Sequence, residues 1–136
     1  MYRYRAACFL VVISAGLVGL GAAAGTRGEI PLKPGDYVLD GTGCGDAPFA
    51  AMANWDGIGF GGAHESHCKT TILHQRKRVF DVETTCSALG DGSPATPTSW
   101  KERITVSSET SFSRSAPGQA VRKYHWCAAT KASQRR

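Results

Sequence analysis

The sequence predicts an all-β fold: a small antiparallel meander, closed as a barrel or paired as a sandwich, and held by two disulfides. Three observations predict it. Short runs of β-branched and aromatic residues are separated by turn residues along most of the chain. No apolar repeat of helical period is sustained over a useful length. The five cysteines become an even set of four once an N-terminal leader is set aside.

The leader is residues 1–24. Arg3 and Arg5 form a short positive region, an apolar run follows to Leu20, and Ala22-Ala23-Ala24 supplies small residues for cleavage. The run is shorter than the roughly 20 residues a membrane span needs. The expectation is a signal peptide cut near Ala24 and a soluble periplasmic or secreted product without a transmembrane span. Residues 25–35, with Pro31, Pro34 and glycines, read as an N-terminal linker. Residues 36–128 make a single β domain, and 129–136 a polar basic tail.

Within the domain, residues 36–40 form a brief strand. Residues 50–56 form a second, despite their alanines, because they are short and end at Asp56-Gly57. Residues 58–61 continue the pairing after that turn. The clearest element is a hairpin of 68–74 and 79–87 around Gln75-Arg76-Lys77-Arg78. Phe80, Val82, Thr84 and Cys86 share one face by the period of two, with Asp81, Glu83 and Thr85 on the other. A turn centred on Lys77 sets Val82 opposite Ile72 and Cys86 opposite Cys68. Residues 88–97 read as a loop. Trp100, Glu102, Ile104 and Val106 share a face of the next strand. Residues 110–114 pair back through Phe112, and 121–128 form the last strand with Tyr124 and Trp126 on one side.

Exported chains with four cysteines form two disulfides. Three connectivities are open. Cys44–Cys68 with Cys86–Cys127 is preferred, because it ties a loop to the sheet and fastens the last strand. Cys68–Cys86 is the rival that the hairpin register suggests.

Charge narrows the function classes. The chain carries 16 Lys and Arg against 11 Asp and Glu. Arg3 and Arg5 belong to the leader, and Lys131, Arg135 and Arg136 to the tail, so the body is neutral. A neutral body argues against nucleic-acid binding. Arg76-Lys77-Arg78 reads as a solubilising turn rather than a phosphate site.

The sharpest local motif is Gly59-Phe-Gly-Gly-Ala-His-Glu-Ser-His-Cys68. Its histidines are spaced one residue short of the H-E-x-x-H pattern of helical zinc sites, and its flanks are glycine and strand. It reads as a turn ahead of a disulfide. Asp81 and Glu83 point the same way and read as a solvated sheet face. No nucleophile elbow or similar motif occurs, so no catalytic residue, metal ligand set or cofactor is assigned. Trp55, Phe60, His64 and His67 are the candidate binding residues. Trp55 stands out because it lies beside a turn.

The signal peptide, size, disulfides and meander resemble small exported β-barrel proteins of Gram-negative bacteria, including periplasmic lysozyme inhibitors. The pattern Cys44…Trp55-Asp-Gly-x-Gly-Phe60…Cys68…Cys86 is also similar to that of bacterial exported proteins with no assigned activity. The Ser-Gly-x-x-Tyr and Tyr-x-x-x-Thr-Lys-Gly segments of the lysozyme inhibitors have no counterpart here, so no inhibitory residue carries over. The expectation is a non-catalytic binding protein of the cell envelope, such as an inhibitor of lysozyme or another peptidoglycan hydrolase. The alternatives are a small-ligand carrier with a barrel cavity and, with less support, a metal-dependent enzyme using His64 and His67.

Overall fold

The computed structural model describes residues 29–128. The expected signal peptide, the first residues of the expected linker and the polar tail lie outside the described residues. Eight strands follow in chain order: β1 Gly35–Leu39, β2 Met52–Trp55, β3 Phe60–Gly61, β4 Glu65–Arg76, β5 Val79–Leu89, β6 Pro94–Ser108, β7 Ser111–Ser115 and β8 Arg122–Cys127. A single 3₁₀ turn, Phe49–Ala51, precedes β2. Among the described residues no helix is long and apolar enough to cross a membrane.

Every pairing is antiparallel, in the order β3-β2-β1-β8-β7-β6-β5-β4. Each strand therefore lies beside its sequence neighbours, and the first lies beside the last. The ring is an up-and-down meander whose seam falls between β3 and β4. Thr70 N–H donates to the Ile58 carbonyl at 2.9 Å and Gly62 N–H to the Glu65 carbonyl at 3.2 Å. The Phe60 N–H donates to the Thr70 hydroxyl at 3.1 Å. These bonds close most of the seam, so the architecture is a nearly closed barrel. Gly59 permits the approach: a Cβ there would lie 2.2 Å from the Cys68 carbonyl oxygen. Any side chain would push the seam open.

The β4–β5 hairpin has the expected register, with Ile72 opposite Val82 and Cys68 opposite Cys86. A bulge between Ile72 and His74 absorbs Leu73, which is exposed, and Lys77 enters the turn with φ 57°. The alternation in β5 buries Phe80, Val82, Thr84 and Cys86. Residues 88–97, expected as a loop, instead extend β5 and β6 around a tight turn. Leu89 N–H donates to Ser93 O at 2.9 Å, and Gly92 N–H to Leu89 O at 2.8 Å. Pro94 and Pro97 are tolerated because β6 has only β5 as a neighbour there; β7 joins it from Arg103 onward.

The barrel interior is filled by aromatic rings. Phe112 lies 5.1 Å from Tyr37, 5.3 Å from Phe60 and 5.2 Å from Tyr124, and Phe60 lies 4.6 Å from Trp55. Val82, Ile104 and Val106 complete the packing. Such ring pairs add about 0.5–1.5 kcal/mol each beyond their area burial.

One end of the barrel is shut. Residues 29–34, within the expected linker, form no strand, yet Ile30 and Leu32 are buried with the core. Trp55 Nε1 donates to Leu32 O at 3.2 Å, and Lys33 N–H donates to Glu109 O at 2.7 Å. Tyr37 donates to Lys33 O at 2.6 Å and also lies 3.1 Å from Glu109 O. The segment is a plug held by hydrogen bonds to the barrel wall.

The disulfides are Cys44–Cys127 and Cys68–Cys86, not the preferred Cys44–Cys68 and Cys86–Cys127. The reason is the side of the wall each cysteine occupies. Cys68 and Cys86 face inward, directly opposite each other, with Cα atoms 4.0 Å apart. Tyr124 and Trp126 point inward from β8, so Cys127, the last residue of β8, points outward, where it pairs with Asp36 of β1. A Cys86–Cys127 bridge would have to cross the wall. Cys44 instead brings the loop after β1 back to the outer face, where Val38 is fully buried outside the core cluster.

Candidate functional site

The end opposite the plug is open. β6, β7 and β8 deliver inward-facing polar residues there, one step above the aromatic core. On β6 the inward set runs Val106, Ile104, Glu102, Trp100; on β7 it runs Phe112, Arg114; on β8 it runs Tyr124, Arg122. The result is a cleft of about 390 Å³. Met52, Gly61 and Glu65 line its far side, with Phe49 and Ala120 on its rim.

Its floor is an ion pair. Arg114 Nε donates to Glu102 Oε2 and Arg114 Nη2 to Glu102 Oε1, both at 2.6 Å. Trp100 Nε1 donates to Glu102 Oε1 at 3.2 Å. The Glu102 side chain is 3% exposed and that of Arg114 is 19% exposed. Buried carboxylates are tolerated only when paired and hydrogen-bonded, and this planar fork satisfies both oxygens. The Arg114 guanidinium also lies over the Phe60 ring at 5.6 Å. Arg122 lies over Tyr124 at 5.7 Å and donates to Ala50 O at 3.2 Å.

The residues singled out in the sequence are placed differently. Trp55 and Phe60 are buried and pack against each other in the core with tilted rings, so neither offers a binding surface. The turn beside Trp55 is held by Asp56, whose carboxylate accepts from Ile58 N–H and Gly59 N–H, both at 2.8 Å. His64 is exposed and lines the open cleft, whereas His67 lines a separate groove with Asp91 and Gly92. Cys68, the third member of the motif, is bonded to Cys86. The motif thus does not gather its ligands. Among the described residues the close cluster of metal-ligating types is Cys44, His125 and Cys127, and its two cysteines are bonded to each other.

Asp81 does not pair with Glu83. It accepts from Arg103 at 2.7 Å, and that hydrogen bond holds its carboxyl below the usual range. Arg76-Lys77-Arg78 is an exposed hairpin tip. The charged residues of the mouth, Glu65, Glu102, Arg114 and Arg122, were not among the candidates. The signal for Glu102 was present: it shares its strand face with Trp100, Ile104 and Val106. A charge on an apolar face requires a counter-charge.

The fold and mouth define a disulfide-fastened, up-and-down barrel with a filled interior and one polar, open end. Compared with models of known families, with curated proteins and with solved structures, the chain finds no match.

Proposed function

We propose that the protein is an exported, non-catalytic binding protein of the cell envelope whose partner docks on the open end of the barrel. The observation that carries this reading is the contrast between a filled interior and a charged, open mouth. Phe49, which lines the cleft with the Arg114–Glu102 pair, stands 57% exposed, and Val121, next to Arg122 in the chain, is 63% exposed. Exposed apolar side chains beside a paired charge give a protein partner apolar area to cover. Two disulfides and the apolar leader support export. The partner class we propose is a peptidoglycan hydrolase such as lysozyme, in keeping with the resemblance of the overall plan.

A small-ligand carrier is the second reading. It is favoured by the cleft volume, which falls within the range of small-molecule sites. It is weakened by the rings that occupy the interior, which confine any ligand to the mouth.

The test is capture from envelope extract with the mature protein, identification of what is retained, and calorimetry of the purified pair. A hydrolase that binds wild type and is lost with Phe49→Asp/Val121→Asp supports the reading. Equal binding by that variant removes the mouth from it. A small molecule bound in place of any protein favours the carrier.

A further inference from the structure

We propose that the mouth is a carboxylate-binding site, with Arg114 and Arg122 as its two prongs. The inference rests on the binding-protein reading for the source of that carboxylate, an acidic side chain of the docking partner. The site itself rests on register. Arg114 of β7 lies directly opposite Arg122 of β8, and both side chains face the interior, one step above the stacked pair Phe112 and Tyr124. Like charges directly opposite on one sheet face repel. Glu102 offsets Arg114 alone.

The free donors give the direction. Arg114 uses Nε and one Nη2 hydrogen on Glu102. Arg122 uses Nη2 on the Ala50 carbonyl. Among the described residues, Nη1 of Arg114 and both Nε and Nη1 of Arg122 have no acceptor, while the Phe60 and Tyr124 rings lie against the two guanidiniums. Two guanidiniums with open N–H edges and supported faces match a planar oxyanion with two acceptor atoms.

The carboxylates already present select its charge. Glu65 shares the mouth with Glu102. With Arg114 and Arg122 they leave the mouth neutral, so a monoanion adds one negative charge and a dianion two. A single carboxylate is therefore preferred over phosphate. Phe49, Met52 and Ala120 offer apolar surface to the group that carries it.

The experiment titrates N-acetylglycine, and separately inorganic phosphate, into the isotope-labelled protein at constant ionic strength. Arginine Nε–H and tryptophan indole resonances are followed. Saturable shifts are expected at Arg114, Arg122 and Trp100, with a dissociation constant on the order of 1–10 mM. Phosphate should bind more weakly. Arg122→Gln, at an exposed position, should weaken N-acetylglycine at least about tenfold, with Arg122→Lys between the two. Retained Arg114 and Trp100 resonances would show that the floor is intact in both variants. No saturable shift in wild type, unchanged affinity in Arg122→Gln, or tighter binding of phosphate would overturn the proposal. The same variants in the capture experiment separate the two readings. A mouth-bound partner without carboxylate binding sinks this inference alone. Carboxylate binding without a partner protein sinks the envelope-binder reading alone.

Discussion

Glu102 occupies an inward position of β6 between Trp100 and Ile104, where an apolar residue would need no help. Its burial is sustained by the Arg114 fork and the Trp100 indole. Removing one member of a buried pair costs more than removing both, because the survivor keeps its desolvation penalty. Glu102→Ala should therefore destabilise the protein by about 3 kcal/mol, somewhat less than a fully buried pair because Arg114 retains some solvent. Glu102→Leu/Arg114→Leu should recover most of that loss, since both charges go and the floor becomes apolar. Urea unfolding at neutral pH checks both variants. If the single substitution shifts stability by under about 0.5 kcal/mol, the fork is not holding the floor. The strand alternation places Glu102 inward from sequence alone. Its partner was not legible, because Arg114 reaches it only through the β6–β7 register, which a bulge between Val106 and Ser108 shifts.

The strands and their faces were largely readable, and the closures were not. Period-two alternation in β5 and the turn at Lys77 gave the hairpin register, because both signals are local. Residues 88–97 misled because Gly and Pro mark turns by composition, although a proline on a strand with one free side breaks no ladder bond. The disulfides misled because pairing depends on which side of the wall a cysteine faces, and that depends on closure of the ring. The two bridges should also differ in worth. Cys68–Cys86 spans 18 residues along strands already paired, whereas Cys44–Cys127 spans 83 and closes nearly the whole domain. In the chain-entropy account these loops correspond to about 3 and about 4.5 kcal/mol. Cys44→Ala/Cys127→Ala should lower stability more than Cys68→Ala/Cys86→Ala, and should also free the loop over Val38. Guanidinium unfolding of the two double variants ranks them. An equal or reversed order would show that the inner bridge, set in the packed interior, matters more than loop length.

The barrel as a whole is asymmetric, with a hydrogen-bonded plug at one end and paired charges at the open one. Tyr37 makes the plugged end sensitive to pH. Its ring is in the core beside Phe112, and its hydroxyl holds the plug through the Lys33 carbonyl. Burial pushes its pKa up to about 12, against about 10 for an exposed tyrosine. The folded state therefore resists losing this proton. The resulting stability is fully present below pH 10 and is lost as pH rises from about 10 through about 12. Two units correspond to about 2–3 kcal/mol. Tyr37→Phe should abolish that share of the alkaline loss, at a cost of about 1 kcal/mol at neutral pH for the missing hydrogen bonds. The three tryptophans report on where the change begins. Trp55 and Trp126 donate to Leu32 O and Pro34 O at the plug, while Trp100 donates to Glu102 in the mouth. With rising pH the indole resonances of Trp55 and Trp126 should shift before that of Trp100, as the plug loosens ahead of the mouth. Urea midpoints between pH 9 and pH 12, on about the scale set by the two tyrosine values, supply the energetic half of the test. A Trp100 shift that leads the other two, or an unchanged alkaline slope in Tyr37→Phe, would mean that the plug is not what Tyr37 secures.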